Sequence, residues 1–140
     1  MRAVVIYESL TGNTARAGEL IAGGLRDRGA DAAAFNITQI DHAALSRADL
    51  VVVGSWTDGV FVFGQRPGRA GRLKSMPTIT GKQAAVYCTY ALAPGKTLAK
   101  MQSIVESRGG DVIGGMTIRR DQLEQRSADF VERLAAAVSV

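Results

Sequence analysis

One cysteine, one histidine and one tryptophan occur in 140 residues, with three prolines. Cys88 alone cannot form an intrachain disulfide, so a reducing compartment fits best. His42 and Cys88 are the only soft ligands and lie far apart in sequence, which offers no zinc-type set. Cys88 reads instead as a buried structural thiol, and His42 as a surface residue. No apolar run approaches the roughly 18 to 20 residues of a membrane span, and Met1-Arg2 leads straight into a strand pattern rather than a signal peptide. A cytoplasmic protein without membrane contact is expected. Acidic residues are missing from Gly59 to Val105, where Arg66, Arg69, Arg72, Lys74, Lys82, Lys96 and Lys100 all fall. A Walker loop ending in Gly-Lys-Ser/Thr is absent, and no G-x-G-x-x-G follows the first apolar run, which argues against nucleoside triphosphate hydrolysis and dinucleotide binding. Arginine outnumbers lysine and alanine is abundant, a composition that suggests a bacterial source.

What is present is alternation. Short apolar runs at Ala3–Tyr7, Ala32–Phe35, Leu50–Val53, Ala84–Cys88 and Val112–Ile118 are separated by helical periodicity, the pattern of a parallel sheet covered on both faces. Ala17, Leu20, Ile21 and Gly24 mark one helix ending near Gly29. Leu98, Met101 and Val105 mark another ending at Gly109-Gly110, and Leu123, Phe130, Val131, Leu134 and Val138 a last one. The length suits one domain over residues 1–140, long enough to bury a core without metal or disulfide. Right-handed crossovers make the doubly wound strand order 2-1-3-4-5 the expected topology of this α/β three-layer sandwich, with any ligand beyond the carboxyl ends of the central strands.

Three loops at those ends stand out. Ser9-Leu10-Thr11-Gly12-Asn13-Thr14 turns directly from strand to helix, aiming backbone N–H groups and a positive helix end at one spot. Gly12 permits close approach, and Ser9, Thr11 and Thr14 bring hydroxyls, so the loop reads as a phosphate cradle without a cation. The competing reading is that Thr11 or Asn13 merely caps the helix. Gly54-Ser55-Trp56-Thr57-Asp58-Gly59 places the single tryptophan where a planar ligand would lie, and Thr89-Tyr90-Ala91, with Gly95 beyond, places an aromatic in the third loop. Two aromatics flanking a phosphate site suit a flat ring with a phosphate tail. Phe61 and Phe63 read as packing residues.

Val4-Val5-Ile6-Tyr7-Glu8-Ser9-Leu10-Thr11-Gly12-Asn13-Thr14, with its threonine-glycine-x-threonine core, resembles the FMN phosphate signature of the flavodoxin family, and the resemblance extends over almost the whole chain. The short-chain type is the nearer one, since the fifth strand has no long insertion. The resemblance implies a flavodoxin-like fold, FMN as cofactor and electron transfer as function. It implies cofactor contacts from Ser9, Leu10, Thr11, Gly12, Asn13 and Thr14, from Ser55, Trp56, Thr57, Asp58 and Gly59, and from Thr89, Tyr90, Ala91 and Gly95. Tyr90 matches a ring-flanking aromatic by position. Trp56 stands two residues past Gly54, where related proteins often carry proline, and Asp58 fills the slot that often holds the other stacking aromatic. A peptide that flips toward the flavin on one-electron reduction is easiest at glycine, which points to Gly59.

Charge departs from the family pattern. Flavodoxins are typically acidic, whereas this chain carries +4 with a pI near 9.6. The acid-free basic block adjoins the second and third loops, so an acidic redox partner is expected if it forms a rim, with a raised flavin potential. An ordinary solvated surface is the alternative. A basic stripe without a reading motif gives no expectation of nucleic-acid binding. An FMN-dependent NAD(P)H or quinone reductase, with the Val60–Pro77 segment walling a pocket, and a flavin-free binding module are the other function classes. A receiver domain is argued against by Glu8, Gly54 and Arg119 at its key positions. A low-molecular-weight phosphatase is argued against by the lack of cysteine and arginine in the first loop.

Overall fold

The computed structural model describes residues 1–59 and 64–138; the expectations placed on Val60, Phe61, Val62 and Phe63 lie outside them. Strands β1 (Arg2–Tyr7), β2 (Asp31–Asn36), β3 (Leu50–Asp58), β5 (Gln83–Tyr90) and β6 (Asp111–Arg119) form a parallel sheet in the order β2-β1-β3-β5-β6. Counting these five in sequence gives the expected 2-1-3-4-5. A two-residue strand β4 (Arg66–Pro67) pairs antiparallel with the far end of β3. Helices α1 (Asn13–Asp27), α2 (His42–Arg47), α3 (Ala70–Lys74), α4 (Thr97–Ser107) and α5 (Leu123–Val138) complete the chain. None of the described helices is long and apolar enough to cross a membrane.

The apolar runs are continuous because both sheet faces are covered. Successive side chains of a strand point to opposite faces. Ala3 and Val5 therefore join Leu50, Val52, Ala85 and Tyr87 in one core beneath α1 and α5, while Val4 and Ile6 join Val51, Val53, Val86 and Cys88 in the other beneath α4. Phe130 of α5 meets Tyr87 in a tilted ring pair, centroids 6.4 Å apart. Gly24 lets α5 approach α1, since a Cβ there would stand 2.8 Å from a Val131 methyl.

Three differences from the sequence reading matter to the site. The third strand does not stop at Val53 but runs through Gly54 and Trp56 to Asp58, because β4 supplies Thr57 and Asp58 with partners after the parallel neighbours run out. Thr89 and Tyr90 likewise belong to β5. Helices α2 and α3, six and five residues long, were not anticipated.

The Tyr87 ring lies directly across Gly54 of the neighbouring strand, where a Cβ would fall inside it. Gly54→Ala is therefore expected to lower unfolding free energy by about 2–3 kcal/mol through overpacking. Gly71→Ala on α3, where a Cβ meets open space, is expected to change it by less than about 1 kcal/mol and not to destabilise. Urea titration of the two variants checks this.

Candidate functional site

The crossovers leave β1 in opposite directions, toward β2 on one side and β3 on the other, so the crevice for a ligand opens at the carboxyl ends of β1 and β3. The last rung between them is the Glu8 N–H donating to Gly54 O at 2.9 Å. The chain then turns on Ser9, whose Oγ accepts the N–H groups of Gly12 at 3.2 Å and Ala15 at 3.3 Å. Gly12 sits in the left-handed region (φ 99°) as the N-cap of α1, with open space where a Cβ would be. No acceptor among the described residues takes the N–H groups of Thr11, Asn13 or Thr14. Asn13 Nδ2 donates to Thr11 Oγ1 at 3.4 Å. Thr14 points inward instead: its hydroxyl shares a 2.7 Å hydrogen bond with that of Thr89 on β5. Unbonded N–H groups at a positive helix end are an anion-binding arrangement.

Leu10, Thr11 and Asn13 face Trp56 and Thr57 of β3, Thr89, Tyr90 and Ala91 of β5 and its loop, and Arg120 beyond β6, around a cleft of about 160 Å³. Seven predicted residues lie around it rather than in its lining. Ser9, Gly12 and Thr14 shape the first loop. Ser55 is buried and donates to Gly68 O at 2.9 Å. Asp58 pairs with Arg66 at 3.2 Å and accepts the Gly59 N–H at 2.9 Å. Gly59 has φ 105°, and a Cβ there would stand 2.6 Å from Gly64 O. Gly95 (φ 53°) packs on the Gln65 side chain. Trp56 lies against Gly68, its Nε1 buried without a partner among the described residues.

Two larger depressions, about 390 Å³ between α1 and α5 and about 410 Å³ beside α2 and α3, sit on the flanks. They lie away from the switch point, which is why volume does not select them.

Sequence reasoning missed three features. Arg120 is in the cleft wall because β6 ends beside Tyr90, where the Arg120 N–H donates to Tyr90 O at 2.9 Å. Glu8 is 1% exposed and pairs with Arg69 at 2.9 Å and Arg72 at 3.3 Å, tying the base of the first loop to the start of α3. Arg69 adopts φ 49°, alone among the described non-glycine residues in the left-handed region. A lone acid directly after the first strand was the available signal for this pairing. Tyr87 donates its hydroxyl to Thr14 O at 2.9 Å from inside the core.

The family model described as Flavodoxin domain matches residues 4–109. A flavodoxin from Clostridium beijerinckii is 24% identical over 128 residues, covering 91% of this chain and 93% of that protein. Among solved structures, the Streptococcus pneumoniae TIGR4 flavodoxin superposes with a TM-score of 0.74 at 22% identity, over 99% of this chain and all of that one. The two-electron reduced flavodoxin of Megasphaera elsdenii superposes at 0.69 with 17% identity, over 91% of this chain and 98% of that one. A doubly wound α/β sheet whose first strand turns through a left-handed glycine directly into a helix is the arrangement these relatives share with this chain at the level of fold. The chain belongs to the flavodoxin family, the FMN-binding electron-transfer proteins.

Burial pushes the Cys88 thiol up from its ordinary 9.0 to about 12, partly offset by the nearby Thr57 hydroxyl, which makes no hydrogen bond of normal geometry to it. Burial, then Tyr7 and Glu19, also raise the Tyr87 phenol well above its usual value.

Two predictions follow from these buried groups. Removing one partner of a buried ion pair leaves a charge uncompensated. Arg69→Ala with Arg72→Ala is expected to destabilise by about 3–5 kcal/mol, and Glu8→Gln, which strands no buried charge, by about 1–2 kcal/mol; urea unfolding of both separates them. The native state holds the Cys88 proton between pH 9 and about 12 while the unfolded state releases it. Stability present below pH 9 therefore declines as pH rises, by about 1.4 kcal/mol per unit for this group. Urea midpoints from pH 8.5 upward check it, with a shallower decline expected for Cys88→Ala; Tyr87 contributes the rest above its ordinary pKa.

Proposed function

We propose that this chain is an electron carrier that binds FMN with its phosphate in the Ser9–Thr14 loop and its ring at the cleft between Trp56 and Tyr90, exchanging electrons with partner proteins. The observation that carries the reading is the first loop, whose unbonded Thr11, Asn13 and Thr14 N–H groups meet at a left-handed Gly12. The donor set fits a phosphate: neutral N–H and O–H groups at a helix N-terminus bind a dianion without an ion pair within the loop. Asn13 and Thr11 add side-chain donors at the same opening.

FMN, when bound, supplies one- and two-electron chemistry, and the protein orients the ring and tunes its electronics. Tyr90 and Trp56 provide flat apolar surface for stacking. The cleft is small against the usual 300–1,000 Å³ or so of a ligand pocket, so it covers part of a tricyclic ring and leaves an edge to solvent. An exposed edge suits electron exchange with another protein. Gly59, at φ 105° directly after β3 with its N–H held by Asp58 Oδ1, is the position in this loop where a change of peptide orientation would cost least.

The partner we propose presents an acidic face. Lys96 at the start of α4 stands at the same end of the sheet as the cleft, on a chain of net charge +4. The remainder of the basic block supports the partner less than the sequence suggested. Arg66, Arg69 and Arg72 are paired with carboxylates, and Lys82 and Lys100 donate to backbone carbonyls.

Adding FMN to the purified protein is expected to quench flavin fluorescence. Stepwise reduction is then expected to pass through a long-wavelength band of one-electron-reduced flavin. Absence of binding at micromolar FMN overturns the cofactor reading. Direct bleaching to the two-electron state, with steady NAD(P)H oxidation, overturns the carrier reading in favour of a reductase.

A further inference from the structure

A phosphate monoester entering the first loop meets no cation there, because residues 9–14 contain none. Arg16, the arginine nearest in sequence, is engaged by Glu124 at 2.6 Å. At the same end of the sheet, Asp58 holds Arg66, Glu8 holds Arg69 and Arg72, and Asp121 holds Arg119 at 3.2 Å. Arg120 differs from all of these. It is exposed, it lines the cleft with Leu10, Thr11 and Asn13 of the first loop and Tyr90 of the third, and no carboxylate among the described residues pairs with it. The other lining residues are uncharged. Its main chain is anchored through the 2.9 Å hydrogen bond from its N–H to Tyr90 O, which fixes the root of the side chain beside the cleft.

We infer that Arg120 is the anion-recognising side chain of this cleft, supplying from outside the loop the countercharge that the loop lacks and making the site select FMN over its unphosphorylated form, riboflavin. This rests on the FMN reading above. A guanidinium is weakly hydrated and presents five N–H donors in a plane that matches phosphate oxygens. The loop amides position the phosphate, and Arg120 adds charge-assisted hydrogen bonds to oxygens that those amides leave open. Because it approaches from the β6 side, its contribution is separable from the helix dipole: substituting it leaves Gly12, Ser9 and the first turn of α1 unchanged.

FMN and riboflavin differ by the phosphate alone, so fluorescence titration of both against the parent protein, Arg120→Gln and Arg120→Lys isolates the effect. Arg120→Gln is expected to weaken FMN about tenfold, the scale of one charge-assisted hydrogen bond at a partly shielded site. Riboflavin affinity and thermal midpoint should stay as in the parent, and Arg120→Lys should recover part of the loss. FMN affinity of the parent should also fall with added salt more steeply than that of Arg120→Gln. Equal weakening of FMN and riboflavin would show that Arg120 acts on the ring or on cleft shape and would overturn the inference, as would no change in either. A parent that binds both flavins equally well leaves the flavin reading standing and removes the anion role. A parent that binds neither removes both.

Discussion

The buried phenol of Tyr87 is the constraint on which the ligand end of this molecule depends. Its ring leaves β5, passes across Gly54 of β3 and ends against Gly18 of α1, where a Cβ would stand 2.8 Å from the hydroxyl. The hydroxyl donates to Thr14 O in the first turn of that helix. One side chain thus spans two strands and a helix at the level where the first loop meets α1. The hydrogen bond itself contributes about 1 kcal/mol. Its larger effect is geometric, since an interior packed to this density has discrete arrangements rather than continuous play. The Thr14–Thr89 hydroxyl pair repeats the tie a short distance away. Two bonds from β5 to Thr14 fix where α1 starts, and the loop between Tyr7 and α1 inherits that placement.

The sheet was legible because its signal is local. Apolar runs buried on both faces, separated by amphipathic helices such as that carrying Ala17, Ile21 and Leu25, need nothing beyond their own periodicity to be read. The first loop was legible for the same reason, as Gly12 and its hydroxyl neighbours follow one run and precede another. The far half of β3 was not. Ser55, Thr57 and Asp58 carry no strand-like apolar pattern. They are held extended by β4, two residues long, and by the Gly68 backbone, whose carbonyl accepts the Ser55 hydroxyl and whose N–H donates to Trp56 O. That stabilisation comes from residues eight to thirteen positions away, across a turn that carries no strand pattern of its own. Tyr87 was hidden in the same manner: within its run it is one more apolar residue, and only Gly18 and Gly54 in three dimensions explain its size.

Glu8 shows how the same non-locality recast the charge. In sequence, the stretch from Gly59 to Val105 is a basic block with no acid to balance it. In the fold, Glu8 comes from the first strand to sit buried beneath Arg69 and Arg72, each about half exposed. A buried carboxylate requires such partners, because its desolvation is offset only by close charge and well-placed hydrogen bonds. The left-handed backbone of Arg69 accompanies that placement, a conformation unfavourable for a side chain with a Cβ. The two arginines are therefore part of how the segment entering α3 is held against the base of the first loop, and only secondarily a surface charge.

That reassignment bears on what the surface can recognise. Once the cations engaged by Glu8, Asp58, Asp121 and backbone carbonyls are set aside, Arg108 on Met76 O among them, Lys74, Lys96 and Arg120 are the ones in the Gly59–Arg120 stretch without a carboxylate or carbonyl partner for the side chain among the described residues. Lys74 ends α3 on a flank, while Lys96 and Arg120 stand at the carboxyl end of the sheet. Fields from a few uncommitted charges beside a low-dielectric cleft are focused there, whereas paired charges elsewhere largely cancel beyond a Debye length. Pairing with Glu8 and Asp58 thus removes three arginines of the Gly59–Arg120 stretch from the uncompensated charge and leaves Lys96 and Arg120 as its cations at the cleft end of the sheet.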